Sequence, residues 1–323
     1  MIGEAVAAAL GRPLSAARRV AGGDINAAWC VELEGGTRVF VKTRVGARPG
    51  EYATEAAGLR WLGSVVDGLP VAEVLAVRDV DPAADAGAGV DADGDTREDG
   101  AGADGDTRED GADPAFLALA WLDHGRLDGR GEEQLGRGLA HLHAAGASAF
   151  GAAPPGAPFR GLRLGEVELT AATGADWPAF YGEHRLAPLA RAAEDRGALP
   201  PGGRDAIEAV IARLDQLAGP PEPPARLHGD LWSGNVLADV RGRPWLIDPA
   251  AHGGHREVDL AMLALFGAPS PRMLAAYAEV RPPAAGHADR VPLWQLFPLL
   301  VHAVLFGGRY GGAAVAAARC VAP

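Results

Sequence analysis

Lysine is all but missing from this chain: 29 of its 30 basic residues are arginine, and Lys42 stands alone. Arginine serves any surface charge, so the exception asks what position 42 needs from a compact, rotatable ammonium that a planar guanidinium lacks. Cysteine is scarce too. Cys30 and Cys320 lie far apart, form no metal-ligand pair and make no disulfide necessary, which points to a reducing compartment. Long apolar runs are also missing. The most apolar late stretch, LWQLFPLLVHAVLFGG, is interrupted by Gln295, Pro298 and His302 and falls short of the ~20 residues a membrane span needs. At the start, Glu4 precedes an apolar run and the arginines follow it, the reverse of a secretory leader. These absences predict a cytoplasmic protein with no membrane contact.

Positive charge is in short supply, but unevenly. The net charge of −12 is concentrated in residues 81–113, which hold 12 acids and 2 arginines and leave −2 for the rest. A nearly neutral body without a basic stripe excludes nucleic acid as a partner. The acidic stretch is a tandem repeat, ADGDTREDGA at 92–101 recurring at 103–112, too poor in large apolar groups to fold alone. Asp91, Asp93 and Asp95 are spaced like the start of a calcium loop, but Thr96 stands where glycine is required and the terminal glutamate is missing. We read 81–113 as a disordered, low-complexity insertion.

What is present falls into two parts. AAWCVELEGG and TRVFVKTRV are β-prone runs joined at Glu34-Gly35-Gly36, a hairpin signal. EYATEAAGLRWLG follows with Tyr52, Ala56, Leu59 and Leu62 on one helical face, and VAEVLAV and AFLALAWL are two more strand candidates. Beyond about residue 125 the spacing turns helical, as in Leu135, Leu139 and Leu142 and in RDAIEAVIARLDQLAG, which ends at Gly219-Pro220. The expected fold is α+β and two-lobed. A small antiparallel β-rich N-lobe spans residues 1–121, and a larger, mainly helical C-lobe spans 122–323.

The strongest chemical signal is His228-Gly229-Asp230-Leu231-Trp232-Ser233-Gly234-Asn235, followed by Ile247-Asp248-Pro249. Kinases carry an Asp and an Asn five apart in a catalytic loop, then a second Asp that holds Mg²⁺. Asp230 has the place of the base that takes the attacking hydroxyl's proton. Asn235 and Asp248 have the places of the metal ligands, although Asp248 could instead cap a turn before Pro249. His228 reads as a structural brace. In RVFVK, Val39 and Val41 face one side and Phe40 and Lys42 the other. Lys42 is then a candidate for the nucleotide phosphates, paired with Glu55 on the following helix; the alternative is a solvated strand lysine. Gly22-Gly23 would allow close backbone approach to the phosphates. By analogy, adenine would bond to backbone groups near Ala120 and Leu122.

Taken with GGDIN, VFVKT, EAAGLRWL, LGRGLAHLH, DWPAFYGEHRLAPL, LHGDLWSGNVL, LIDPAAHGGHREVDLAMLALFG and LVHAVLFGGRY, these motifs resemble the fructosamine kinases, or ketosamine 3-kinases. The resemblance spans nearly the whole chain except the acidic insertion. It implies a protein-kinase-like fold and ATP- and Mg²⁺-dependent phosphorylation of a ketosamine 3-hydroxyl, on a small molecule or a glycated protein, in deglycation. It also implies Trp232 stacked on the sugar–amine, or else packed under the loop, with His255 and Glu257 lining the sugar pocket. Asp259 would brace the catalytic loop. Ala120 departs from the acidic residue frequent at that place in the family.

Overall fold

The structure, a computed structural model, describes residues 1–21, 26–80, 114–267 and 269–322. The chain divides into two compact units, Met1–Ala53 with Leu75–Leu119, and Thr54–Val74 with Ala120–Pro323. Gly22, Gly23 and the acidic repeat with its calcium-like spacing lie outside the described residues.

The first unit is a five-stranded sheet. Helix α1 (Ile2–Leu10) leads into β1 (Leu14–Val20), β2 (Ala27–Leu33) and β3 (Thr37–Thr43); after α2 (Glu51–Gly63) come β4 (Val74–Arg78) and β5 (Phe116–Ala120). The strand order is β1-β2-β3-β5-β4, with β2 antiparallel to both β1 and β3. The β2–β3 turn falls at the glycine pair, whose φ values of 85° and 80° are left-handed backbone that glycine adopts without a Cβ clash. Val31, Leu33, Val39, Val41 and Phe116 pack into one apolar cluster with Val6 of α1. Lys42 is buried on the opposite face of β3, directly across from Ala28. The first turn of α2 is held from a distance: Asp79 accepts from the Tyr52 N–H at 3.2 Å and the Ala53 N–H at 2.7 Å, satisfying donors that a helix start leaves open.

The second unit is mainly helical: α3 (Gly129–Ala144), α4 (Trp177–Tyr181), α5 (Ala187–Asp195), α6 (Gly203–Ile211), α7 (Leu214–Leu217), α8 (Glu257–Leu265), α9 (Pro271–Val280), α10 (His287–Phe306) and α11 (Arg309–Val321). Three two-stranded ribbons interrupt them: β6 (Leu162–Leu164) with β7 (Val167–Leu169), β8 (Ala225–Leu227) with β11 (His252–Gly254), and β9 (Val236–Ala238) with β10 (Pro244–Leu246). The helix expected through RDAIEAVIARLDQLAG is broken in two, because Arg213 leaves helical geometry at φ −118° and the turn brings Leu214 into the core. Helix α10 keeps two prolines inside it. Pro298 has no N–H for the Trp294 carbonyl, and the Tyr181 hydroxyl donates to that oxygen at 3.4 Å and to Leu293 O at 3.1 Å. No helix among the described residues is long and apolar enough to cross a membrane, and Cys30 and Cys320 are both free thiols.

Candidate active site

Chain leaving β8 passes directly into His228-Gly229-Asp230, so the ribbon with β11 sets where the loop starts. Gly229 takes φ 84°, and a Cβ there would stand 2.1 Å from the Ala250 carbonyl, so only glycine fits. The loop hangs on one buried carboxylate. Asp259, in the first turn of α8, accepts from the backbone N–H of His228 at 2.7 Å and of Gly229 at 3.0 Å. His143 of α3 reaches the same carboxylate through Nε2 at 3.3 Å, while its Nδ1 meets the Tyr277 hydroxyl at 2.8 Å. Burial alone would raise the Asp259 pKa. The His143 hydrogen bond and the Gly229 N–H outweigh it and hold the carboxyl below its ordinary range. Burial likewise pushes His143 down, toward a neutral ring that donates from Nε2.

His228 is the brace its sequence position suggested. Its Nδ1 accepts from the Asp230 N–H at 3.3 Å and its Nε2 pairs with Ile247 O at 2.9 Å, the pattern of a neutral ring with its proton on Nε2. This ring ties the catalytic loop to the residue before Asp248. The ties continue: the Ile247 N–H donates to Asn235 O at 3.1 Å, and β9 and β10 pair Val236 with Leu246. Asn235 and Asp248 are therefore held at adjoining ends of one hairpin.

The Asn235 amide nitrogen donates to Asp230 twice, to the backbone oxygen at 2.8 Å and to Oδ2 at 3.1 Å. Its Oδ1 accepts no hydrogen bond among the described residues and is the end left for another partner. Asp248 sits in left-handed backbone at φ 53°, shared among described non-glycine residues only with Asp67. That conformation costs an L-residue about 1–2 kcal/mol, and such strain gathers at functional positions. Burial raises the Asp230 pKa above 3.8, and the nearby Asp248 adds to the rise; His302 and the Asn235 bond oppose it. A carboxylate shifted in this direction has gained basicity, which suits a proton acceptor.

Beside Asp230 lies a narrow pocket of about 20 Å³, walled by Gly229, Met262, Phe297, Val301 and His302. His302 is held by Pro298 O at 2.7 Å and stands 5.0 Å, centroid to centroid, from both Phe266 and Tyr310. Trp232 meets Phe266 edge-on at 6.2 Å and is 40% exposed, so an aromatic rim with a wet outer side borders the pocket.

His255 packs against both Trp177 and Trp294, with centroids 5.9 and 5.1 Å away, in a three-ring cluster whose tryptophans are themselves 6.1 Å apart, and burial brings its pKa down to about 4. Glu257 accepts from Arg290 at 2.7 and 2.9 Å and from the Trp294 indole at 2.7 Å. Both are buried and neither lines the pocket. The stacked ring and the ion pair tie them to the α8–α10 core. The Ala120 N–H, expected near adenine, is donated to Glu73 O at 2.9 Å, and Leu122 is half-buried. Lys42 belongs to the first unit; Glu55, on α2, belongs to the second and is half-buried. His302 and Met262 were not singled out from sequence. The one available signal was a polar ring at 302 within the apolar 296–306 half of α10.

Against known proteins, the sequence profile described as fructosamine kinase matches residues 2–321. An Enterococcus faecium protein named "Probable ketoamine kinase" is 31% identical over 294 residues, covering 90% of each chain. The Arabidopsis thaliana protein named "Protein-ribulosamine 3-kinase, chloroplastic" is 32% identical over 208 residues, 62% of this chain and 60% of its own. Among solved structures, a Thermobifida fusca protein carrying a provisional fructosamine-3-kinase name superposes with a TM-score of 0.81 at 39% identity, over 99% of this chain and 98% of its own. The choline kinase LicA of Streptococcus pneumoniae, 13% identical with a TM-score of 0.56 over 99% of this chain and 97% of its own, shares the fold. By sequence along nearly its whole length and by fold, this chain belongs to the fructosamine kinase family.

Proposed function

We propose that this protein transfers the γ-phosphoryl group of ATP to the 3-hydroxyl of a ketosamine, free or protein-linked, as a step in deglycation. The observation carrying this reading is the Asp230 carboxylate, fixed by the Asn235 amide and opening onto a small pocket under an aromatic rim. Asp230 Oδ accepts the proton of the attacking hydroxyl. The new bond joins that oxygen to phosphorus, the bond to the β-phosphate oxygen breaks, and ADP leaves. Trp232 gives the sugar–amine a face to stack on.

The donor set fits Mg²⁺. With its amide nitrogen spent on Asp230, Asn235 offers an oxygen, and Asp248 offers a carboxylate from a strained backbone held next to it. Two hard oxygens suit an ion that keeps most of its water and its phosphate ligands. When bound with the nucleotide, the metal supplies charge neutralisation at the phosphates. Lys42 we assign to those phosphates and Glu55 to orienting Lys42. The free cysteines agree with work in a reducing cytoplasm.

The test is ADP release with fructosyl-lysine and ribulosyl-lysine, run beside aminoglycosides and amino alcohols. Turnover on a ketosamine, with phosphate recovered on its third carbon, is expected. No turnover on any ketosamine, with activity on another alcohol, overturns the substrate assignment.

A further inference from the structure

The strand that delivers the catalytic loop borders a second feature, which shares no lining residue with the pocket at Asp230. An open groove of about 390 Å³ runs between Trp61 at the end of α2, the turn after α3, the 152–155 segment and Arg226 of β8. That volume lies in the range of small-molecule sites. Its apolar wall is Ala152, Ala153 and Pro155, Ser148 adds a hydroxyl, and no acidic side chain lines it.

Arg226 is the groove's only charged lining residue, and its neighbours are all neutral. Nη1 donates to Trp61 O at 2.6 Å and to Ser64 Oγ at 3.1 Å, Nε donates to Gly146 O at 3.4 Å, and the guanidinium stacks 4.6 Å from the Trp61 ring centroid. These bonds cap the carbonyl end of α2 and use two edges of the fork. Nη2 donates no hydrogen bond among the described residues, and neither does the Ser148 hydroxyl. Burial lowers the arginine's pKa, with no carboxylate to offset it. A partly desolvated guanidinium with a spare donor edge, in a groove without acids, lacks a counter-ion.

We propose that this groove binds a small oxyanion, carboxylate or phosphate ester, carried on a compact apolar body. The charge sits on Arg226 Nη2 and Ser148 Oγ, and the body lies against Ala152, Ala153 and Pro155. Phosphoryl transfer at Asp230 is a separate site, so the proposal stands or falls independently of the acceptor substrate.

Calorimetric titration of the full chain, with ADP and Mg²⁺ present to occupy the nucleotide site, tests this with three probes: benzoate, phenyl phosphate and inorganic phosphate. Benzoate or phenyl phosphate should bind with a Kd near 1 mM or tighter, about −4 kcal/mol, and inorganic phosphate more weakly. The better of the two identifies the oxyanion. Arg226→Gln should weaken that binding at least about tenfold. Ala153→Phe, which fills the groove and leaves every Arg226 bond in place, should do the same, and it decides the matter if Arg226→Gln fails to fold. No binding of any probe to the wild type overturns the proposal. So does binding that Ala153→Phe leaves unchanged.

Discussion

Asp230 gains its basicity from partial burial, and keeps its aim from one amide. The Asn235 nitrogen holds both its backbone oxygen and its Oδ2, so the carboxylate cannot swing without breaking a bond of 3.1 Å. Replacing Asp230 by Asn keeps the shape and removes the proton acceptor. Turnover should fall by about 10²–10⁴-fold, the usual worth of general base catalysis, while ATP affinity, read by fluorescence or calorimetric titration, stays near wild type. Retained turnover would remove Asp230 from the base role. Lys42 poses a different question. It is only 7% exposed, between strand neighbours Val41 and Thr43, so there is little room for a wider head group. Lys42→Arg keeps the charge but exchanges a point for a fork. Steady-state kinetics should register a loss of most of kcat/KM for ATP with the fold intact by circular dichroism. Normal kinetics would make the single lysine an accident of composition.

At the scale of elements, the catalytic loop is positioned less by its own sequence than by three helices that meet behind it. Asp259 of α8 accepts the first two backbone N–H groups of the loop, His143 of α3 locks that carboxylate, and Tyr277 of α9 locks the histidine. Asp259→Ala leaves two buried N–H groups and an imidazole without an acceptor, at about 1–3 kcal/mol for each orphaned group. Urea denaturation should register that loss. Because the same bonds aim Asp230, kcat should drop further than KM rises in material that is still folded. An effect on stability alone, with kcat unchanged, would reduce Asp259 to a core residue. The α8–α10 contact is what engages His255 and Glu257. A histidine and a glutamate beside a catalytic motif suggest sugar hydroxyls, but Arg290 and two tryptophans claim them first.

The whole molecule carries several buried neutral imidazoles, and their sum sets its response to acid. Burial holds His252 and His255 near pKa 4, the first also lowered by the charge of Arg185, and it pushes His143 down as well. In the unfolded chain each titrates near 6.5. Above that pH neither state binds the proton and stability is full. As pH falls from 6.5 toward 4, the unfolded chain takes up protons the folded chain refuses, and stability drops. His252 and His255 each contribute up to about 3 kcal/mol of that loss. Urea midpoints measured from pH 7.5 down to 4.5 should fall steadily, and His255→Phe, which keeps the stacked ring, should flatten the slope by about one proton. A midpoint indifferent to pH would mean these rings ionise in place.

Much of this protein was legible before any fold was drawn. The β2–β3 hairpin, the buried face of α2 and the Asp230–Asn235–Asp248 constellation follow from period, glycine placement and fixed spacing, all local or nearly so. Family membership follows from motifs distributed along the chain. What spacing could not decide was which polar residues near the motif face a substrate and which pair inside the core. Glu257 and Arg290 are 33 residues apart, and His143 and Asp259 are 116 apart. Nothing in either local segment announces the partner. Burial converts such residues from candidate ligands into satisfied pairs, and burial is a property of packing. The same holds for His302 and the Arg226 groove, where ordinary helix and strand residues acquire chemistry only because folding surrounds them with a particular set of walls.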